Sequence, residues 1–166
     1  MNIAVDSCSI ILLSKATVLE SFAKNYNLYI TEEVYKEILE GKDKKFIDAL
    51  LTEKLVNENK IKIIKVNNKR ADKLIEDFNL SIGEAKTLSL LLENKCEFIV
   101  TDNKQGRKAA VIYSLNLSGS IDVVVSLYRL KIIDKEKAIS ALKKLHDFGW
   151  FNEYLVENAM EDIKNE

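Results

Sequence analysis

Short apolar runs, each followed by a stretch of helical periodicity, constrain this chain more than any other feature. Asn2–Asp6, Leu28–Ile30, Lys60–Val66, Phe98–Thr101 and Asn116–Ser120 read as strands, because each is apolar or alternating and stops at cap- or turn-type residues. Between them, apolar residues recur three and four apart, as in Val34 and Ile38, Ala71, Leu74, Ile75 and Phe78, and Leu88, Leu91 and Leu92. Strands alternating with helices imply βαβ units, and therefore a mostly parallel sheet covered on both faces.

Two of these runs lead into an acid. Ile3-Ala4-Val5 runs into Asp6, and Phe98-Ile99-Val100-Thr101 runs into Asp102. In open parallel sheets, ligands bind in the crevice outside the carboxyl ends of the strands, so acids placed there are candidate site residues. Taken alone, Asp102 is the sort of residue that caps a helix. What raises it above a cap is convergence with other acids. Thr31 caps a helix whose inward face carries Val34 and Ile38, leaving Glu33, Glu37 and Glu40 on another face, from which Glu37 can reach the sheet edge. Ser81 and Glu84 have capping-box spacing, and Gly83 between them lets another group approach the backbone closely. Uncompensated carboxylates in one crevice repel, so such a cluster persists best around a hard cation such as Mg²⁺ or Mn²⁺.

The remaining segments read as structure. Gly41 ends the helix after Thr31, and Asp43–Asn57 forms the next, with Phe46, Ile47, Leu50 and Leu51 on its buried stripe and Lys42, Lys44 and Lys45 as a solvated face. The lysines alternating through Lys60–Val66 suit an edge strand. Asp134 caps a helix running to about His146, whose imidazole sits near a helix end among charged neighbours, and Trp150–Ile163 makes the last helix. Trp150, Phe151 and Tyr154 read as a docking surface for that helix.

With 166 residues, 47% of them apolar, the chain suits one domain with a sizeable core. Its 25 basic and 26 acidic side chains leave a net charge of −1, so nucleic-acid binding requires a local basic patch or metal ions. Lys104, Arg107 and Lys108, close behind Asp102, are the candidates for holding phosphates. Cys8 and Cys96 match no paired metal or disulfide spacing and read as reduced thiols of a cytoplasmic protein. No run approaches the roughly 18 apolar residues of a membrane span.

At Ile3-Ala4-Val5-Asp6-Ser7, Ile30–Ile38, Gly83-Glu84-Ala85, Val100–Lys104 through Arg107 and Ala110, and Leu117–Ser120, the chain resembles the PIN-domain nucleases, and within them the branch similar to VapC-type toxins of toxin–antitoxin pairs. The resemblance implies a three-layer α/β/α fold with a central, mostly parallel sheet of four or five strands. On this reading residues 1–166 form a single PIN-like domain, with 131–166 as a helical extension packed on it. It also implies metal-dependent ribonuclease activity, frequent homodimerisation and often a small antitoxin partner. Asp6, Glu37, Glu84 and Asp102 become the acidic quartet. Asn103 stands where many relatives have a further acid, and can offer an amide oxygen to a metal but no charge. Cys8 stands where a Ser or Thr is frequent, a role that Ser7 or Ser9 can take.

The expected chemistry is hydrolysis of phosphodiester bonds in single-stranded RNA with Mg²⁺ or Mn²⁺. The alternative is a catalytically degenerate PIN scaffold that binds RNA or a protein partner. A phospho-receiver domain ranks last, because it needs paired acids after the first strand and a lysine after the last, and here Ser7 follows Asp6 while residues 117–121 contain no lysine.

Overall fold

In the computed structural model, residues 1–40 and 46–166 are described. In chain order the elements are β1 (Asn2–Val5), α1 (Ser7–Lys15), α2 (Leu19–Asn25), β2 (Asn27–Thr31), α3 (Glu32–Leu39), α4 (Ile47–Asn57), β3 (Ile61–Ile64), α5 (Asn68–Phe78) and α6 (Ile82–Leu92). They continue with β4 (Phe98–Val100), α7 (Lys104–Ile112), β5 (Leu117–Ser118), α8 (Ser120–Arg129), α9 (Lys135–Phe148) and α10 (Glu153–Asn165).

The strands form one five-stranded sheet in the order β3-β2-β1-β4-β5, parallel throughout. The chain builds outward from β1 through β2 to β3, then crosses back to place β4 on the other side of β1. The order therefore reverses between β1 and β4, and such a reversal opens a crevice at the carboxyl ends of the strands. The lysine-bearing strand β3 is an edge, as its alternation predicts.

Side chains along the strands alternate between two cores. Ile3, Val5, Leu28, Ile30 and Val100 join the larger one, built with α1, α2, α3, α4, α8, α9 and α10. Ala4 and Ile99 point the other way, into a smaller core with α5, α6 and α7. Helices thus cover both faces, giving three α/β/α layers. The last two helices belong to the larger core through Ala138, Leu142, Leu145, Val156 and Ile163.

Several caps fall where their residue types place them. Thr31 accepts from the Val34 N–H at 3.3 Å, Asp134 from Lys137 N–H at 2.7 Å, and the Ser81–Glu84 capping box closes in both directions. The stripe on α4 departs from expectation. Ala49, Thr52 and Leu55 are buried there, whereas Phe46, Ile47 and Leu50 are exposed and only Leu51 packs partly inward. An apolar repeat this dense is compatible with more than one helix phase, and packing against α1 selects the one that offers small residues for close approach. The expected helix end at Gly41, the helix start at Asp43 and the lysines 42, 44 and 45 lie outside the described residues. Trp150 is fully exposed and Tyr154 largely so; of the three aromatic residues only Phe151 packs against the core.

Candidate active site

The reversal between β1 and β4 brings Asp6 and Asp102 to one crevice. The Asp6 N–H continues the ladder by donating to Val100 O at 3.2 Å, so Asp6 is fixed by backbone pairing rather than by a flexible loop. Its carboxylate then caps α1, with Oδ1 accepting the Ser9 N–H at 2.7 Å. The cap of α1 is thus Asp6 itself. Asp6 is 2% exposed, and its Oδ2 has no hydrogen-bond partner among the described residues. Burial pushes this carboxyl from its ordinary 3.8 up to about 6; Thr101 and Ser9 work against the rise and the neighbouring charge of Asp102 adds to it. A buried carboxylate oxygen with nothing to accept from is costly unless a cation or a proton meets it.

Asp102 is held in the opposite manner. Its Oδ1 accepts the Ser120 N–H at 2.9 Å, and its Oδ2 accepts hydroxyl bonds from Ser9, at 3.0 Å, and from Ser120. Gly119 makes room for this, since a Cβ there would stand 3.0 Å from both Asp102 Oδ1 and Arg107 Nη1. The helix cap at this junction is the next residue, Asn103, whose Oδ1 accepts from Gln105 and Gly106 N–H at 2.8 and 3.0 Å. Asp102 is therefore released from capping, while the amide oxygen of Asn103 is occupied by it.

Glu84 and Glu37 lie on the helices, Glu84 in the first turn of α6 and Glu37 on α3. The Glu84 Oε2 accepts the Ser81 N–H at 2.9 Å in the capping box. Glu37, on α3, lies over the backbone of α6, and a Cβ on Gly83 would meet its Oε1 at 2.6 Å. One helical turn away, Lys86 Nζ meets Glu33 Oε1 at 2.6 Å, with side chains only 10% and 20% exposed. The thiol of Cys8 reports on the convergence. Part of the residue is open to solvent, yet burial of the thiol and the charges of Asp6, Asp102 and Glu84 push it up to about 12, against Lys15. Asp6, Asp102 and Glu84 thus lie within electrostatic reach of one thiol.

Lys104 and Lys108 are exposed on α7. Arg107 is turned back, its Nη1 donating to Thr101 O at 3.0 Å and, more weakly, to Ser118 O at 3.5 Å. It borders a cleft of about 530 Å³ that runs from Asp102 between α8 and α10, with Ile121, Val125 and Phe151 in its wall.

The profile of the DUF3368 family, described as a PIN domain, matches residues 2–165. The chain belongs to the PIN-domain nuclease family. No curated protein and no solved structure gives a match.

PIN domains generally use divalent metal ions. The donor chemistry of this PIN domain fits a hard cation, because Asp6 Oδ2 is a buried carboxylate oxygen without a hydrogen-bond donor, within reach of the charge of a second carboxylate, Asp102. Among the described residues, however, no three Asp, Glu, His or Cys side chains are gathered closely enough to enclose an ion. Glu84 is turned toward its own helix N-terminus and Glu37 toward Gly83, so completing a cage requires side-chain rotation there.

Some residues that shape the site carry little or no signal in the sequence. Ser120 and Gly119 lie in the Leu117–Ser120 stretch of the family resemblance, but nothing in a Ser-Gly-Ser sequence says that the backbone N–H and hydroxyl of Ser120 will both point at Asp102. Asp122, which accepts the Gly119 N–H at 2.8 Å, and the Lys86–Glu33 pair have no local signature at all.

Proposed function

We propose that this PIN domain is a metal-dependent endoribonuclease that hydrolyses phosphodiester bonds in single-stranded RNA, with Mg²⁺ or Mn²⁺ as its cofactor. The observation that carries the reading is the buried, unpartnered Oδ2 of Asp6 beside Asp102 at the switch point of the sheet. A divalent cation bound there would neutralise charge on the scissile phosphate and lower the pKa of the attacking water. Asp6 and Asp102 would hold it, with Glu84 and Glu37 completing the set from the helix side. Ser9 and Ser120 orient Asp102, and the capping of α1 orients Asp6. Asn103 is left out of the ligand set because its oxygen already caps α7. Lys104 and Lys108 can hold neighbouring phosphates, while Arg107 braces the loop that carries Asp102.

The similarity to VapC-type toxins supports a cytoplasmic toxin with a small antitoxin partner, acting as a homodimer. The free thiols of Cys8 and Cys96 agree with a reducing compartment. No helix among the described residues is long and apolar enough to cross a membrane. The second reading, a degenerate scaffold, draws on the turned-away carboxylates of Glu37 and Glu84. An RNA cleavage assay with and without Mn²⁺ separates the two. Asp6→Asn and Asp102→Asn should each lose about 10³-fold or more in rate; if both cleave as well as the unaltered protein, the nuclease assignment to these acids is wrong.

A further inference from the structure

With a net charge of −1, this PIN domain has no general attraction for a polyanion, and the cleft beside Asp102 does not supply one. That cleft is bordered by Asp102, Asp122 and Asp162 against Arg107 and Arg129, and Arg129 is already paired with Glu166 at 2.8 Å. A nuclease must hold its substrate somewhere. The opposite balance is found along α5, where two clefts of about 290 and 480 Å³ share Arg70 and Lys73. The larger adds Lys69 and Glu93, so the two together set three cations against one acid, and Glu93 is itself paired with Lys95 at 2.7 Å. Asp72, Glu76 and Asp77 of the same helix border neither cleft.

The smaller cleft also has a non-ionic character. Its wall is Leu74, Leu92 and the ring of Tyr113, which leans on Phe78 with centroids 5.8 Å apart and remains 37% exposed. Arg70 donates to Leu92 O, which fixes its guanidinium at the boundary between the two clefts. Cations beside an exposed ring over an apolar floor are what an unpaired nucleotide asks for, with phosphates on the lysines and a base on the ring. Duplexes, with their bases stacked inside, would leave Tyr113 and the leucines unused.

We infer that Lys69, Arg70, Lys73 and Tyr113 form a docking site for single-stranded RNA, separate from the acidic crevice. The site rests on the reading of the chain as an RNA-cleaving domain, and it supplies the local basic patch that the overall charge demands.

The test is fluorescence anisotropy with a fluorescein-labelled oligouridylate in EDTA, so that binding is read without cleavage. Lys69→Glu combined with Lys73→Glu should weaken binding at least ~10-fold and reduce the slope of log K against log salt by about 1.4, two phosphate contacts at ~0.7 each. The milder pair Lys69→Ala and Lys73→Ala should show the same slope change, which guards against a folding defect in the charge-reversed protein. Tyr113→Ala should weaken binding about tenfold and leave the slope unaltered. Unchanged affinity and slope in both lysine variants, or no binding of the oligonucleotide by the unaltered protein, overturns the site. Asp6→Asn and Asp102→Asn variants that both cleave as well as the unaltered protein would sink the catalytic reading while leaving the anisotropy result intact, so the two failures are distinct.

Discussion

Asp6 and Asp102 stand where the backbone ladder of two adjacent strands puts them, whereas Glu37 and Glu84 stand where the packing of α3 on α6 allows them. On the sheet side, the Asp6 N–H is itself part of the β1–β4 pairing, and Asp102 is held by three hydrogen bonds from Ser9 and Ser120. On the helix side, a glycine and an ion pair take the place of the ladder. Gly83 admits Glu37, and Lys86 ties Glu33 down one turn away. The difference is one of stiffness. A parallel ladder moves only if the sheet moves, but a carboxylate on a helix face keeps its rotamer freedom, the freedom that the proposed cation binding would draw on.

The largest consequence on the sheet side concerns pH. The folded pKa of Asp6, about 6, lies above its ordinary 3.8, so ionising it in the folded protein costs roughly 3 kcal/mol at 1.36 kcal/mol per pKa unit. Below the ordinary value the carboxyl is protonated in both states and the penalty is absent; it grows as pH rises and is complete above about 6. Urea unfolding between these limits should therefore show stability falling as pH rises, and Asp6→Asn, which cannot ionise, should remove that component. A variant profile that runs parallel to that of the unaltered protein would mean that Asp6 is not the source. The same substitution that removes cleavage should then stabilise the fold at neutral pH, a trade that active-site strain commonly imposes.

An effect of comparable size on the helix side is expected at Lys86. Burial alone would raise the Glu33 carboxyl, yet the hydrogen bond and charge of Lys86 outweigh it and hold the pKa below its usual range. Removing the lysine leaves a mostly buried carboxylate without its partner, so Lys86→Gln should cost roughly 3 kcal/mol in thermal or urea unfolding. Lys86→Gln combined with Glu33→Gln should recover much of that loss, because two neutral amides can still pair. If the single variant is as stable as the unaltered protein, the ion pair does not fix α3 on α6.

How legible this arrangement is in the sequence follows the same division. The strands, their parallel order around a covered sheet and both aspartates can be read because period-two apolar runs and cap residues are local signals, and the ladder converts them directly into positions. Asp102 also shows the limit of local reading. By residue type alone it is a helix cap, and the residue that caps α7 is Asn103 next to it. The buried stripe of α4 misleads because Phe46, Ile47, Leu50 and Leu51 fit helical spacing as well as Ala49, Thr52 and Leu55 do, and only the partner surface chooses between phases. Lys86 and Glu33 are 53 positions apart, so no window on the sequence pairs them. Ser120 is separated from Asp102 by 18 positions and meets it only because β5 lies beside β4.

A smaller effect tests whether the helix side takes part in cation binding at all. Gly83→Ala would place a methyl 2.6 Å from Glu37 Oε1, a contact relieved by swinging the flexible end of Glu37 aside rather than by moving backbone. Stability should change by less than about 1 kcal/mol, since alanine also suits a helix better than glycine does. Mn²⁺ affinity by calorimetry should fall about tenfold, the size expected for disturbing one ligand or its support. Undiminished Mn²⁺ affinity would remove Glu37 from the cation site and leave the crevice to Asp6, Asp102 and Glu84.

The smallest effect is predicted back on the sheet side, at Ser9. Its hydroxyl gives Asp102 Oδ2 one of two hydroxyl bonds, at 3.0 Å, while its backbone N–H caps Asp6 independently of the side chain. Ser9→Ala therefore deletes a single bond to a charged acceptor that keeps Ser120, and should cost about 1 kcal/mol in unfolding. Cleavage should fall only a few-fold, because both Ser120 bonds still hold the Asp102 carboxylate and the preceding Thr101 N–H stays bonded to Ser118 O. Ser120→Ala, which leaves the Ser120 N–H bond but removes the other hydroxyl, should act similarly, and the two together should lose more than the sum, since Oδ2 then has neither donor. Strict additivity in the double variant would show that the two hydroxyls do not share responsibility for Asp102, and that the stiffness ascribed to this half lies in the backbone alone.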